Sequence, residues 1–135
     1  AGFGIGPTLD HDDLHDHNVL VDEGGRATIV DWGDASLTHP FLTLAVTLRF
    51  AAEAAGHPTD APEIQRLRDA YLEPWTTLVP ARALRRAADI GSALGILTGG
   101  LTWYEVITRF AGAHEAEPRE MAMILERTAG AVAAL

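Results

Sequence analysis

Hydrophobic and polar positions divide the chain near residue 38 into two parts with different periodicities. In the first part, apolar and β-branched residues form two short runs, 19–22 and 27–31, on either side of Glu23-Gly24-Gly25-Arg26. A Gly-Gly pair between such runs is typical of a β-hairpin, because both central positions of its tight turn require a positive φ. The sequence therefore predicts one hairpin near the N-terminus.

The turn also predicts which residues face each other across this hairpin. If Gly24 and Gly25 alone form the loop, the pairing runs outward from it one residue at a time. One step beyond the two strands, Asn18 then faces Asp31. We therefore expect the side chains of these two residues to meet at the end of the hairpin.

After residue 38, apolar residues recur at the three- and four-residue spacing of amphipathic helices. Proline and glycine indicate where such helices begin and end. The expected fold class is α+β and mainly helical. The sequence predicts four or five helices, which start at Pro40, at an Asp60-x-x-Glu63 capping box, near Pro80 and near Glu117-Pro118, with a break or kink at Gly99-Gly100.

Composition narrows the classes of function. A length of 135 residues suits one globular domain. The absence of cysteine excludes disulfides, thiolate zinc sites and a cysteine nucleophile. A net charge of −9 repels phosphate backbones, so a nucleic-acid partner is not expected. All ten basic residues are arginine, so chemistry that needs a lysine amine has to come from elsewhere.

No segment predicts a membrane anchor. The stretch 90–104 is too short and too Gly-rich for a membrane span, and no basic region precedes an apolar run as in a signal peptide. We therefore expect a cytoplasmic protein with no membrane partner. The Gly-rich opening at Ala1, without a start methionine, indicates a piece of a longer protein.

Titratable residues are concentrated in the segment 11–18, whose simplest interpretation is a solvated acidic loop. However, His11-x-Asp13-x-x-x-x-Asn18 has the spacing of a kinase catalytic loop, and the hairpin follows at once. Asn18 and Asp31 at adjacent strand ends offer oxygen ligands for a hard cation such as Mg²⁺. Asp13, a few residues earlier on the loop, can then reach an acceptor hydroxyl beside phosphates that are bound to the metal ion. This arrangement is what phosphoryl transfer requires.

The sequences HDDLHDHNVLVD over 11–22 and IVDWGDA over 29–35 resemble the aminoglycoside phosphotransferase and choline kinase family, which has a protein-kinase-like fold. The resemblance implies that Asp13 is the catalytic base and that Asn18 and Asp31 bind Mg²⁺. It implies that His11 and His15 shape the loop. It further implies that ATP or GTP donates a phosphoryl group to a hydroxyl of an amino-sugar-like or other cationic small molecule.

The resemblance also indicates a domain organisation. The family's small N-terminal lobe carries a strand lysine and a phosphate-covering loop, whereas this chain has no lysine and only a weak glycine pattern over 2–6. We therefore expect residues 1–135 to be a single domain, the C-terminal lobe of a longer enzyme, and to be inactive alone. Its apolar surface would pack on the missing lobe or in a homodimer. The expected parts are a lead-in (1–10), the catalytic loop, hairpin and metal loop (11–35) and a helical subdomain (36–135).

Some residues depart from the family pattern, and one further residue is a weaker candidate for the site. Asp12 stands where the family usually has glycine, and Asp16-His17 replaces a common Pro-Gly. The extra carboxylates would change the charge around Asp13 or attract another cation. Asp34 is a candidate to support the metal loop, and equally a turn or cap residue.

Two other functions stay open. His11, Asp12, His15 and His17 offer imidazole and carboxylate groups that suit the transition metal of a hydrolase. The lysine-free, largely helical chain also fits a non-catalytic interaction module.

Overall fold

A computed structural model describes residues 4–110 and 118–135 of the chain. Two small antiparallel sheets lie in its N-terminal part. The hairpin was predicted, whereas the second sheet was not, because its two strands are separated by the whole loop and hairpin. The strands are β1 (Thr8–Asp10), β2 (Val19–Val21), β3 (Ala27–Ile29) and β4 (Ser36–Thr38), with β1 paired to β4 and β2 to β3.

Helices make up most of the remainder, so the α+β, mainly helical class is confirmed. Within residues 4–110 and 118–135 there are four α-helices, where the sequence predicted four or five. Short 3-10 turns cover Asp16–Asn18 and Glu73–Thr77. The helices are α1 (Leu44–Ala55), α2 (Pro62–Leu72), α3 (Ala81–Phe110) and α4 (Pro118–Ala133). In this part of the chain, no helix combines the length and apolarity needed to span a membrane.

The hairpin register differs from the prediction by one residue. Val19 lies opposite Ile29, and the amide of Val30 donates to the carbonyl of Asn18 at 3.0 Å. The loop contains three residues, not two, because the Asp22 carboxylate accepts hydrogen bonds from the amides of both Gly24 and Arg26. The prediction that Asn18 faces Asp31 is therefore wrong, and Asn18 lies opposite Val30.

One predicted helix start and one predicted cap are also wrong. Helix α1 begins at Leu44 and not at Pro40, because Phe41 turns into the core and the Tyr71 hydroxyl donates to the Pro40 carbonyl at 2.5 Å. Burial raises the pKa of Tyr71 to about 12. No side-chain hydrogen bond caps α2, whose Glu63 contacts Arg66 at 3.1 Å instead of completing a capping box.

Helix α3 runs without a break through Gly99 and Gly100, contrary to the prediction. Its glycines allow close packing. A Cβ atom at Gly91 would lie 2.7 Å from the Cβ of Phe41, and one at Gly100 would lie 2.5 Å from Ile124 on α4. A Cβ at Gly95 would overlap the carbonyl oxygen of Leu42. These glycines therefore act as contact points and not as helix breakers.

The hydrophobic core lies between α1, α2 and the first half of α3. Phe41, Leu44 and Leu84 are its largest fully buried side chains, and the Phe41 ring meets Trp75 edge to face at 5.7 Å. One carboxylate is also buried beside it. Asp10, at the end of β1, accepts a hydrogen bond from the amide of Thr43 at 3.2 Å. Burial, reinforced by the nearby Asp12 carboxylate, raises the pKa of Asp10.

The glycine contacts predict opposite effects for two alanine substitutions on one helix. Gly95→Ala should destabilise the protein by about 1–3 kcal/mol, because the added methyl group has no room against Leu42. Gly99→Ala should stabilise it by up to about 1 kcal/mol, because nothing lies near that position and alanine favours a helix. Urea denaturation measures both. A loss of stability in Gly99→Ala would indicate a break in α3.

The buried carboxylate predicts a pH dependence of stability. A raised pKa in the folded protein means that folding favours the protonated acid. The wild type should therefore lose stability as pH rises from the ordinary carboxyl pKa of 3.8 through the raised value of Asp10. Asp10→Asn retains an acceptor for the Thr43 amide and cannot titrate. Its free energy of unfolding should therefore rise relative to the wild type over this range, measured by urea denaturation.

The exposed Asp60 provides the control for this measurement. Asp60→Asn should show the same pH dependence as the wild type. A difference between Asp10→Asn and the wild type that does not change with pH would contradict the prediction.

Candidate active site

The loop over 11–18 is joined to the hairpin through a buried histidine. The His11 Nε2 atom lies 2.8 Å from the carbonyl oxygen of Val30, and the ring packs against Trp32 at 4.8 Å. The indole N–H of Trp32 donates in turn to the carbonyl of Ile29 at 3.1 Å. His11 therefore links the start of the loop to the end of β3, next to Asp31.

The same loop is attached to helix α1. The Thr47 hydroxyl on α1 donates to the carbonyl of Leu14 at 2.8 Å, while Asp10 accepts from the Thr43 amide just before the helix. These anchoring residues were not among those predicted from the sequence. The sequence signals only that an apolar helix follows residues 31–35. That pattern does not indicate which face of the helix contacts residues 10–14.

Asp12, which stands where the resemblance predicts glycine, adopts a backbone conformation that favours glycine. Its φ is 63°, in the left-handed region, which aspartate tolerates better than most residues with a side chain. The Ser36 hydroxyl on β4 donates to the Asp12 carboxylate. The departure from glycine thus adds a contact between the loop and the β1–β4 sheet.

Three of the predicted site residues lie together at the centre of the loop. The Asn18 amide nitrogen donates to the Asp13 carbonyl at 2.9 Å and to Asp13 Oδ2 at 3.3 Å. His15 Nε2 lies 3.3 Å from the same carboxylate oxygen. Asn18 is buried and His15 nearly so, whereas the Asp13 side chain is 42% exposed. The carboxylate is thus held by two neighbours and open to an incoming molecule.

Asp31 and Asp34 lie on the loop that follows β3. Asp31 comes directly after Val30 and has a φ of 60°, so the chain turns sharply at this residue. Both carboxylates are exposed. Asn18 lies opposite Val30, the residue before Asp31. That the side chains of Asn18 and Asp31 share one cation therefore stays a prediction. The role of Asp34 also stays a prediction.

The four residues proposed for a hydrolase site are not gathered in one place. Among the described residues, one group of histidine and acidic side chains is close enough to hold a metal, and it consists of His15, Asp16 and His17. His11 contacts the Val30 carbonyl and Asp12 contacts Ser36. The geometry therefore does not assemble the hydrolase set.

Comparison with known proteins agrees with the geometry of the loop. A family model described as the phosphotransferase enzyme family (APH) matches residues 6–88. The match covers both sheets, the loop over 11–18, α1, α2 and the start of α3. No curated protein and no solved structure matches the chain. Because the family model covers more than half of the 135 residues, the chain belongs to the phosphotransferase enzyme family.

Proposed function

We propose that residues 1–135 form the C-terminal lobe of a kinase that transfers a phosphoryl group from ATP or GTP to a hydroxyl of a small cationic molecule, such as an amino sugar. The observation that carries the proposal is the Asp13, His15 and Asn18 cluster, which lies in the segment matched by the phosphotransferase family. It combines a solvent-accessible carboxylate with two side chains that fix its orientation.

Asp13 is proposed as the general base. Its carboxylate would accept the proton of the acceptor hydroxyl while the hydroxyl oxygen bonds to the γ-phosphorus and the bond to the leaving nucleoside diphosphate breaks. The contacts at 3.3 Å from Asn18 and His15 restrict rotation of the carboxylate before the acceptor arrives. Such positioning reduces the entropy that has to be lost on reaching the transition state.

The residues that would hold Mg²⁺ suit that ion. Asn18 uses its amide nitrogen to bind Asp13, so its amide oxygen is the atom suited to a cation. Asp31 adds an exposed carboxylate after the turn at φ 60°. Carboxylate and amide oxygens are the donors that Mg²⁺ prefers. When bound, Mg²⁺ neutralises the charge of the transferring phosphates.

Charge supports the type of acceptor, and composition supports the domain organisation. A net charge of −9, with Asp12 and Asp16 in the catalytic loop itself, attracts a cationic substrate.

The lysine that the family resemblance requires for the nucleotide phosphates is absent from the 135 residues. We therefore place that lysine in another part of the parent protein, and expect no turnover by residues 1–135 alone.

Substitutions in the full-length enzyme should separate the two proposed roles. Asp13→Asn should reduce kcat by about 10²–10⁴-fold and leave nucleotide affinity nearly unchanged, because the base acts only on the acceptor. Asp31→Asn should weaken binding of the Mg²⁺–nucleotide complex as well as turnover, because it removes charge from the cation site. Steady-state kinetics and nucleotide titrations measure both effects.

Asp60→Asn serves as a matched control, because Asp60 is an exposed aspartate in the connection between α1 and α2. It should behave as the wild type in both assays. Full turnover by Asp13→Asn together with loss of turnover in His15→Ala would contradict the assignment of the base.

The exposed apolar surface of the hairpin supports the proposal of a further lobe. Successive strand residues point to opposite faces, so Leu20, 58% exposed, lies on one face of the hairpin, and Val21, 66% exposed, lies on the other face with the exposed Ile29. Apolar side chains exposed on both faces mark a hairpin that another element covers. We propose that the remainder of the parent protein packs here, and that residues 1–135 alone use the same surface to form a homodimer.

Sedimentation of residues 1–135 tests this surface. The wild-type fragment should self-associate in the micromolar range, and the double substitution Leu20→Ser with Val21→Ser should make it monomeric, because the exposed apolar area is removed. Leu78→Ser is the control, since Leu78 is equally exposed but precedes α3. A wild-type fragment that stays monomeric at all concentrations would overturn the proposed dimer.

A further inference from the structure

The catalytic loop carries a second group of potential metal ligands, separate from the oxygen donors proposed for Mg²⁺. One atom each of His15, Asp16 and His17 lies within 4.8 Å of the others. His17 Nε2 is 3.9 Å from Asp16 Oδ2, and the two histidine rings meet edge to face at 5.5 Å. Three ligands of this type are enough to bind a transition metal ion.

The backbone explains why three consecutive residues converge. His15 is extended, with φ −143° and ψ 175°, and the 3-10 turn over Asp16–Asn18 starts directly after it. The amide of Asn18 donates to the His15 carbonyl at 3.0 Å and closes this turn. The side chains of Asp16 and His17 are mostly exposed, the latter at 80%, so both can adjust to an ion from solvent.

The environment of His15 is a second observation that points to a ligand. Its Nε2 atom lies 3.3 Å from the Asp13 carboxylate, whereas its Nδ1 atom is buried without a hydrogen-bond partner. A buried nitrogen without a partner is unfavourable. Because Nε2 faces the carboxylate, Nδ1 is the nitrogen that a metal ion would use, and the carboxylate would orient the ring, as carboxylates commonly do behind metal-binding histidines.

We propose that His15, Asp16 and His17 bind a divalent transition metal ion of the zinc class. Two imidazole nitrogens and one carboxylate oxygen favour Zn²⁺, Co²⁺ or Ni²⁺, whereas Mg²⁺ prefers oxygen ligands alone. Three protein ligands leave a coordination position for water or a small molecule. Metal binding at this group does not depend on the proposed phosphotransferase function.

Cobalt provides a direct test, because its visible absorption reports low-coordinate binding to nitrogen and oxygen donors. The full-length protein, free of any polyhistidine tag, is titrated with Co²⁺ in the presence of excess Mg²⁺. We expect absorption bands that saturate at one Co²⁺ per protein chain. These bands should disappear on addition of Zn²⁺, which competes for the same ligands. An absence of such bands in the presence of Mg²⁺ would overturn the proposal.

Variants identify the ligands without disturbing the buried part of the loop. His17→Gln and Asp16→Asn change exposed side chains, and each should weaken Co²⁺ binding at least tenfold. His57→Gln is the matched control, because His57 is an exposed histidine outside the group and should leave binding unchanged. Circular dichroism establishes that each variant is folded. Equal Co²⁺ affinity in wild type and His17→Gln, or equal losses in His17→Gln and His57→Gln, would also overturn the proposal.

Discussion

The contact on which the candidate site depends is the one between the buried His11 ring and the carbonyl oxygen of Val30. It joins residues 19 positions apart and brings the start of the loop over 11–18 to the end of the hairpin. Together with the Val30 amide, which donates to the Asn18 carbonyl, it ties the loop that carries Asp13 to the residue before Asp31. A buried polar contact of this kind is costly to break, because the groups it leaves behind lose both their partner and access to water.

A second set of contacts attaches this assembly to the helical core. Asp10 accepts from the Thr43 amide, and Thr47 donates to the Leu14 carbonyl, so the loop rests on the N-terminal half of α1. That helix is held by Phe41, Leu44 and the glycines of α3 that allow its close approach. The position of the proposed base is therefore determined by core packing well away from it. A substitution in α3 can affect the loop through this chain of contacts.

The departures from the family pattern have physical explanations in the structure. Asp12 takes the left-handed conformation that favours glycine and uses its carboxylate to contact Ser36. Asp16 and His17 stand where the family often has Pro-Gly, and they form the exposed part of the histidine and aspartate group. These changes add polar side chains to the loop. The loop of this chain therefore holds Asp13 against Asn18 and carries Asp12, Asp16 and His17 in addition.

The sequence by itself determined the local elements and the class of chemistry. The hairpin followed from its glycines, the helices from their apolar spacing, and the family from residues 11–35, which lie close together along the chain. The tertiary structure decided what depended on distant contacts or on side-chain hydrogen bonds. Asp22 bonds to two amides and so lengthened the turn and shifted the register by one residue. Close packing against Leu42 and Ile124 kept α3 continuous through its glycines. Composition and periodicity do not record such contacts, since each depends on which atoms meet once the chain has folded.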